Sequence, residues 1–111
     1  MKKENVITVY VAHPDKGTHY TVEIMNTLEA FQSKVNGYIE VVYIPEFSER
    51  FIILIVNEEG LLKGLDYNEN LYPYFYVGTV VFASMGKDGK FESLDERQIA
   101  FIKTFCDEVG E

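Results

Sequence analysis

The sequence predicts an α+β domain: a mostly antiparallel sheet of about five strands with two helices packed on one face. Three observations predict it. Residues 51–56, F-I-I-L-I-V, are six consecutive apolar residues, four of them β-branched, closed by N-E-E-G. That run is too short to span a membrane and too β-branched for a comfortable helix. Apolar side chains at both parities mean that both faces of this strand are covered, so it reads as the central strand. The second observation is a change of period from two to about three and a half after Thr21, which marks a helix. The third is a set of short reversals rich in Gly, Asn and Pro, which join antiparallel neighbours.

The elements follow in order. Residues 5–12, N-V-I-T-V-Y-V-A, form a β-branched and aromatic strand, ended by the turn His13-Pro14-Asp15-Lys16-Gly17. From Thr21 a helix is expected, with Ile24, Leu28, Phe31 and Val35 on one inward stripe and Asn36-Gly37 as its stop. A second strand covers residues 38–44 and ends at Pro45. The polar connection 46–50 is short enough to make this strand and the central one an antiparallel hairpin. With the first strand and helix it suggests a split β-α-β unit. After the reversal at 57–60, residues 61–63 return briefly as strand. Residues 64–76 form an aromatic loop with one helical turn, and 77–84 another buried strand. Gly78 in that strand signals a bulge or a close backbone approach. Gly86-Lys87-Asp88-Gly89 is a hairpin turn, and Ser93 with Glu96 makes a capping box. The last helix, with Phe101, Ile102, Phe105 and Val109 inward, ends at Gly110. No repeat or linker divides the chain, so residues 1–111 read as a single domain.

Composition narrows the function. The formal charge of −8, from 18 acidic and 10 basic residues, excludes a phosphate-backbone binder and so direct nucleic-acid binding. It leaves basic protein partners and small ligands open. One cysteine, Cys106, allows no internal disulfide. No sustained apolar segment follows the charged start, so neither a signal peptide nor a membrane span is expected. The expected address is the cytoplasm.

No catalytic constellation is complete, and the chain reads as a non-enzyme without cofactor or metal. His13 and His19 stand six apart on a turn and read as solvated loop histidines, with a metal pair as the alternative. Cys106 reads as packing rather than as a nucleophile. Glu58-Glu59 on a turn reads as solvated, and 86–89 lacks the context of a phosphate loop. One constellation stands out: Arg50, Asn57, Glu58, Asp66, Tyr67, Asn68, Asn70 and Tyr72 flank or follow the central strand. Asn amides offer donor and acceptor together and Tyr faces offer stacking, which suits a nucleotide-like ligand, with Arg50 on a phosphate. The alternative is that the asparagines close their own turns. Tyr72, Tyr74, Phe75 and Tyr76 are many aromatics for one irregular loop, and this predicts a homo-oligomer.

Four segments carry a resemblance: L-E-A-F-Q-S-K-V-N-G-Y-I-E (28–40), V-N-E-E-G-L-L-K-G-L-D-Y-N (56–68), V-G-T-V-V-F (77–82) and L-D-E-R-Q-I-A-F-I-K-T-F (94–105). Together they resemble the family catalogued as domain of unknown function 3846, frequent in phages, plasmids and conjugative elements. Where that family often has Gly-Gly, and Leu-Pro before the Asn, this chain has Asn36-Gly37 and Asp66-Tyr67. The resemblance implies a setting, small accessory proteins of mobile elements, and no activity. Two functions are then expected. One is a binder that sequesters a nucleotide-like signal against host defence. The other is an acidic interaction module, an inhibitor or DNA mimic, that occupies a host protein.

Overall fold

A computed structural model of the protein describes residues 5–108. Their strands are β1 (Val6–Ala12), β2 (His19–Met25), β3 (Ile39–Val42), β4 (Ile52–Asn57), β5 (Val80–Met85) and β6 (Phe91–Glu92). The helices are α1 (Leu28–Val35), the single turn α2 (Pro45–Ser48) and α3 (Glu96–Glu108). The sheet runs β2-β1-β5-β4-β3, with β6 beside the far end of β5, and every pairing is antiparallel. The α+β class and the antiparallel sheet are as the sequence predicts. β4 is interior and buried at all six positions, but the middle of the sheet is β5.

The helices do not share a face. Alternation along each strand sends Ile53, Ile55, Val81 and Ala83 to one side, where Phe31 and Val35 of α1 meet them. It sends Ile52, Leu54, Val56, Val80 and Phe82 to the other, under Phe47 of α2 and Ile102 and Cys106 of α3. A strand apolar at both parities needs cover on both sides, and three helices divided between the faces provide it.

Residues 21–25 are strand, not helix. β2 pairs with β1 over seven positions, from Val6 opposite Met25 to Ala12 opposite His19. Its Thr, Val and Ile side chains suit a pleated surface better than a helical one. The helix begins later, where the Thr27 hydroxyl accepts from the Ala30 amide at 3.1 Å as an N-cap. Ile24 is buried from β2, Phe31 and Val35 from α1, and Leu28 is 55% exposed, so the four do not form one helical stripe. β1 and β3 are separated by two strands and run antiparallel, so no split β-α-β unit forms.

The β3–β4 hairpin is present, with Ile39 opposite Asn57 and Val42 opposite Leu54. Residues 61–63 are turn rather than strand. The expected helical turn in the aromatic loop is a short 3-10 segment, Glu69–Leu71. At Gly78 (φ 78°) an added Cβ would lie 2.7 Å from Leu65, which is the close approach the sequence suggests. The start of α3 is capped two residues later than expected. Asp95 Oδ1 accepts from the Gln98 amide at 2.8 Å and Gln98 Oε1 from the Asp95 amide at 2.9 Å. Ser93 instead accepts from the Thr8 amide of β1 at 2.7 Å. The expected inward Val109 and the stop at Gly110 lie outside the described residues. No helix among the described residues is long and apolar enough to cross a membrane.

Candidate functional site

The three asparagines of the expected site are clamps. Asn57, at the end of β4, donates from Nδ2 to the carbonyls of Val35 (3.0 Å) and Asn36 (3.2 Å) and accepts from the Glu59 amide (2.8 Å). It thereby holds the C-terminus of α1, whose Asn36 adopts the left-handed cap conformation (φ 62°), against the turn after β4. Asn68, fully buried, donates to the carbonyls of Ala12 (2.9 Å) and Gly78 (2.8 Å) and accepts from the Asn70 amide (3.0 Å). Asn70, also fully buried, donates to the carbonyls of His13 (2.7 Å) and Asp15 (2.8 Å) and accepts from the Gly17 amide (2.8 Å). Each amide spends both donor hydrogens on the backbone, so turn closure, extended to neighbouring loops, describes their role.

The remaining residues are not gathered around them. Arg50 lies at the opposite end of β4 from Asn57, about 20 Å away at the usual rise of a strand. Its guanidinium donates to the Glu46 carbonyl at 2.7 Å and lies 4.0 Å from the centre of the Phe101 ring. Tyr67 stacks on Phe75 at 5.3 Å, Tyr72 is exposed ahead of a cis peptide to Pro73, and Asp66 is exposed. Of the expected set, Asn57 and Glu58 alone line a recess beside the turn after β4.

That recess is a groove of about 650 Å³ beside β3, on the face that carries α3. Its floor is Val42 and Val56, and its walls are residues 58–62 and 75–77. Leu61 (71% exposed), Leu62 (89%) and Phe75 (64%) leave apolar surface at its mouth. Glu40, Glu58 and Glu59 line it, and no basic side chain does; the nearby Lys63 ammonium is 3.8 Å from Glu59. Burial, reinforced by the Glu40 carboxylate, raises the pKa of the Tyr76 phenol above its ordinary value. The groove therefore favours a ligand that is apolar and cationic, and disfavours a phosphate. Sequence reasoning passed over Glu40, Leu61, Leu62 and Phe75 as site residues. Two exposed leucines directly after a strand-ending N-E-E-G turn are the signal that could have found them.

The histidines are not free in solvent. His13 joins Thr79 Oγ1 (2.9 Å) to the Tyr20 hydroxyl (2.7 Å). His19, its side chain 5% exposed, joins the Tyr10 hydroxyl (2.7 Å, through Nδ1) to Asp107 (3.0 Å, through Nε2). Lys103 donates to the other oxygen of Asp107 at 2.7 Å, and this hydrogen bond holds the carboxyl below its usual pKa. The chain of contacts from Tyr10 to Lys103 pins α3 to the β1–β2 hairpin. Tyr10 is 3% exposed, and burial pushes its phenol up to about 12. Burial does the same to the Cys106 thiol, also to about 12, which is the chemistry of packing rather than of a nucleophile. Among the described residues no cluster of His, Cys, Asp and Glu could hold a metal ion.

No curated protein and no solved structure matches this chain. A family model does, over residues 7–108, which takes in every strand and helix described above except the first residue of β1. The chain belongs to the family described as domain of unknown function (DUF3846).

Proposed function

We propose that the protein is a non-catalytic interaction module whose working surface is the acid-lined apolar groove beside β3. The observation that supports this reading is the groove's composition. Three carboxylates, of which Glu59 alone is paired with a nearby lysine, line it around Val42 and Val56, with Leu61, Leu62 and Phe75 exposed at the mouth. Apolar surface supplies the affinity, and the carboxylates select a partner that brings lysine or arginine to the same place. The overall charge of −8 acts in the same direction, by steering a basic surface toward the protein. In the phage and plasmid setting implied by the family, such a module would act by occupying a basic surface of a host protein.

A second reading, sequestration of a nucleotide-like signal, draws on the groove's volume, which is within the range of small-ligand sites, and on Phe75 and Tyr76 as stacking faces. Its weakness is electrostatic: a phosphate would face Glu40, Glu58 and Glu59, and Arg50 is at the other end of β4. Thermal melts against a panel of nucleotides, cyclic nucleotides and mixed basic-apolar peptides separate the two. A ligand at a hundred times its dissociation constant stabilises by about 2.7 kcal/mol. The peptides are expected to stabilise the protein, and Leu62→Asp to abolish the effect without changing the melting point of the free protein. Stabilisation by a nucleotide that survives Leu62→Asp would refute the proposal.

A further inference from the structure

We infer that the groove receives its partner as an added β-strand, an extended basic and apolar segment of another protein that pairs with the open edge of β3. The inference rests on the groove being the binding surface and adds the mode of binding and the chemistry of the partner.

β3 ends the sheet, so one side of its backbone has no strand partner among the described residues. The groove lies over β3 and β4 on the α3 face, and Glu40, Val41 and Val42 of the edge strand itself line it, so a strand added to the edge would reach the groove through its side chains. A strand added there continues the pleat. Alternate side chains would lie over Glu40 and Val42 on the groove face, and the others over half-buried Ile39 and Val41 on the α1 face. Lysines on the groove face would lay their aliphatic stems along Val42 and bring their ammonium groups to Glu40, Glu58 and Glu59. Tyr38 (65% exposed) and Tyr43 (62%) stand at the two ends of the edge and supply apolar cover for the ends of the incoming segment.

The opposite edge offers less. The first residue of β2, His19, is already tied to α3 through Asp107. A second copy of this chain is the other occupant an open edge invites. Pairing two copies about Val41 would place Glu40 opposite Val42, but it would bring a second set of three groove carboxylates and a second charge of −8 to the same interface. Like charges make a foreign basic strand the better fit.

The test uses the full chain and a synthetic probe, the acetylated and amidated heptapeptide Lys-Val-Lys-Val-Lys-Val-Lys. Two companions carry backbone N-methyl groups, one on every lysine and one on every valine. Added strands bond through alternate amides, so one companion is expected to lose at least ten-fold in affinity while the other keeps most of it. Hydrogen exchange at residues 39–42 is expected to slow when the parent peptide binds. The double variant Glu40→Lys, Glu58→Lys is expected to weaken the lysine peptide at least ten-fold and to take up the corresponding Glu-Val peptide. Binding that is insensitive to both methylation patterns, with unchanged exchange at 39–42, overturns strand addition and leaves the groove reading standing. No binding of the lysine peptide, in a protein that mixed basic-apolar peptides do stabilise, overturns strand addition alone. Failure with every basic peptide removes both. Protection of 39–42 in the free protein, with a dimer mass in sedimentation, assigns the edge to a second copy and also overturns the inference.

Discussion

Replacing Asn68 with alanine tests the reassignment of the asparagines from ligand contacts to clamps. The side chain is fully buried and makes three hydrogen bonds: to the carbonyls of Ala12 and Gly78, and from the amide of Asn70. At about 0.5–1.5 kcal/mol net for each bond, the three contribute about 1.5–4.5 kcal/mol. The true loss lies toward the upper end, because the Ala12 and Gly78 carbonyls are left in a buried place where removing a partner costs about 1–3 kcal/mol each. The expected destabilisation is about 3–4 kcal/mol, a large part of the roughly 5–15 kcal/mol that holds a domain together. For a chain of this size that lowers the melting temperature by more than about 12 °C. Urea unfolding followed by far-UV circular dichroism measures it, since the chain has no tryptophan to report. Asn68→Asp sharpens the test. It keeps the shape but turns a carboxylate toward two carbonyl oxygens, so it should cost more than alanine at neutral pH and recover as the acid is protonated. A loss below about 1 kcal/mol in Asn68→Ala would show that the side chain is not a clamp and would return it to the candidate ligand contacts.

Three further outcomes are expected. Phe47→Ala should cost about 3–5 kcal/mol, because the ring is fully buried among Phe82, Phe101 and Phe105 at centroid distances of 5.6, 5.3 and 5.1 Å; an equilibrium unfolding curve measures the loss. Leu28→Ala should change stability by less than about 1 kcal/mol in the same assay, because Leu28 is 55% exposed. Tyr10 and Cys106 have their pKa values raised in the fold, from 10.0 and 9.0 to about 12 each, so folding favours their neutral forms. Their contribution is complete below pH 9 and is lost as pH rises toward 12; melts from pH 8 to 11.5 should fall, and fall less steeply in Cys106→Ala.

The fold class was legible because it rests on patterns that one element carries alone. The run 51–56, apolar at both parities, announces an interior strand, and the hairpin to 39–42 follows from a short connection. The same run also bears on the placement of the helices: a strand that needs cover on both faces cannot have all its helices on one. Residues 21–25 misled for a different reason. Ile24 falls on a helical stripe with Leu28, Phe31 and Val35, but it also alternates with Val22 in a strand, and over so short a segment the two periods cannot be told apart. What decides between them is the seven-residue ladder with β1, a partner that local sequence does not display.

The candidate site was less legible, and the asparagines show why. An Asn in a loop carries the same donors and acceptor whether it meets a ligand or a backbone, so residue type cannot separate the two. The separation comes from which distant carbonyls arrive. Asn68 reaches Ala12 and Gly78, Asn70 reaches His13 and Asp15, and Asn57 reaches the end of α1. These clamps in turn shape the groove. Asn57 fixes the start of the turn that carries Glu58, Glu59, Leu61 and Leu62, and its amide comes so close to Gly37 that an added Cβ there would lie 2.7 Å from Nδ2. Asn57, expected to contact a ligand, thus holds the wall of the groove proposed to bind a partner. Replacing Asn57 should disturb the groove indirectly, by loosening its wall, whereas Leu62→Asp should act on binding while sparing the fold. The order of those two effects, stability first for Asn57 and binding alone for Leu62, distinguishes a scaffold from a contact surface.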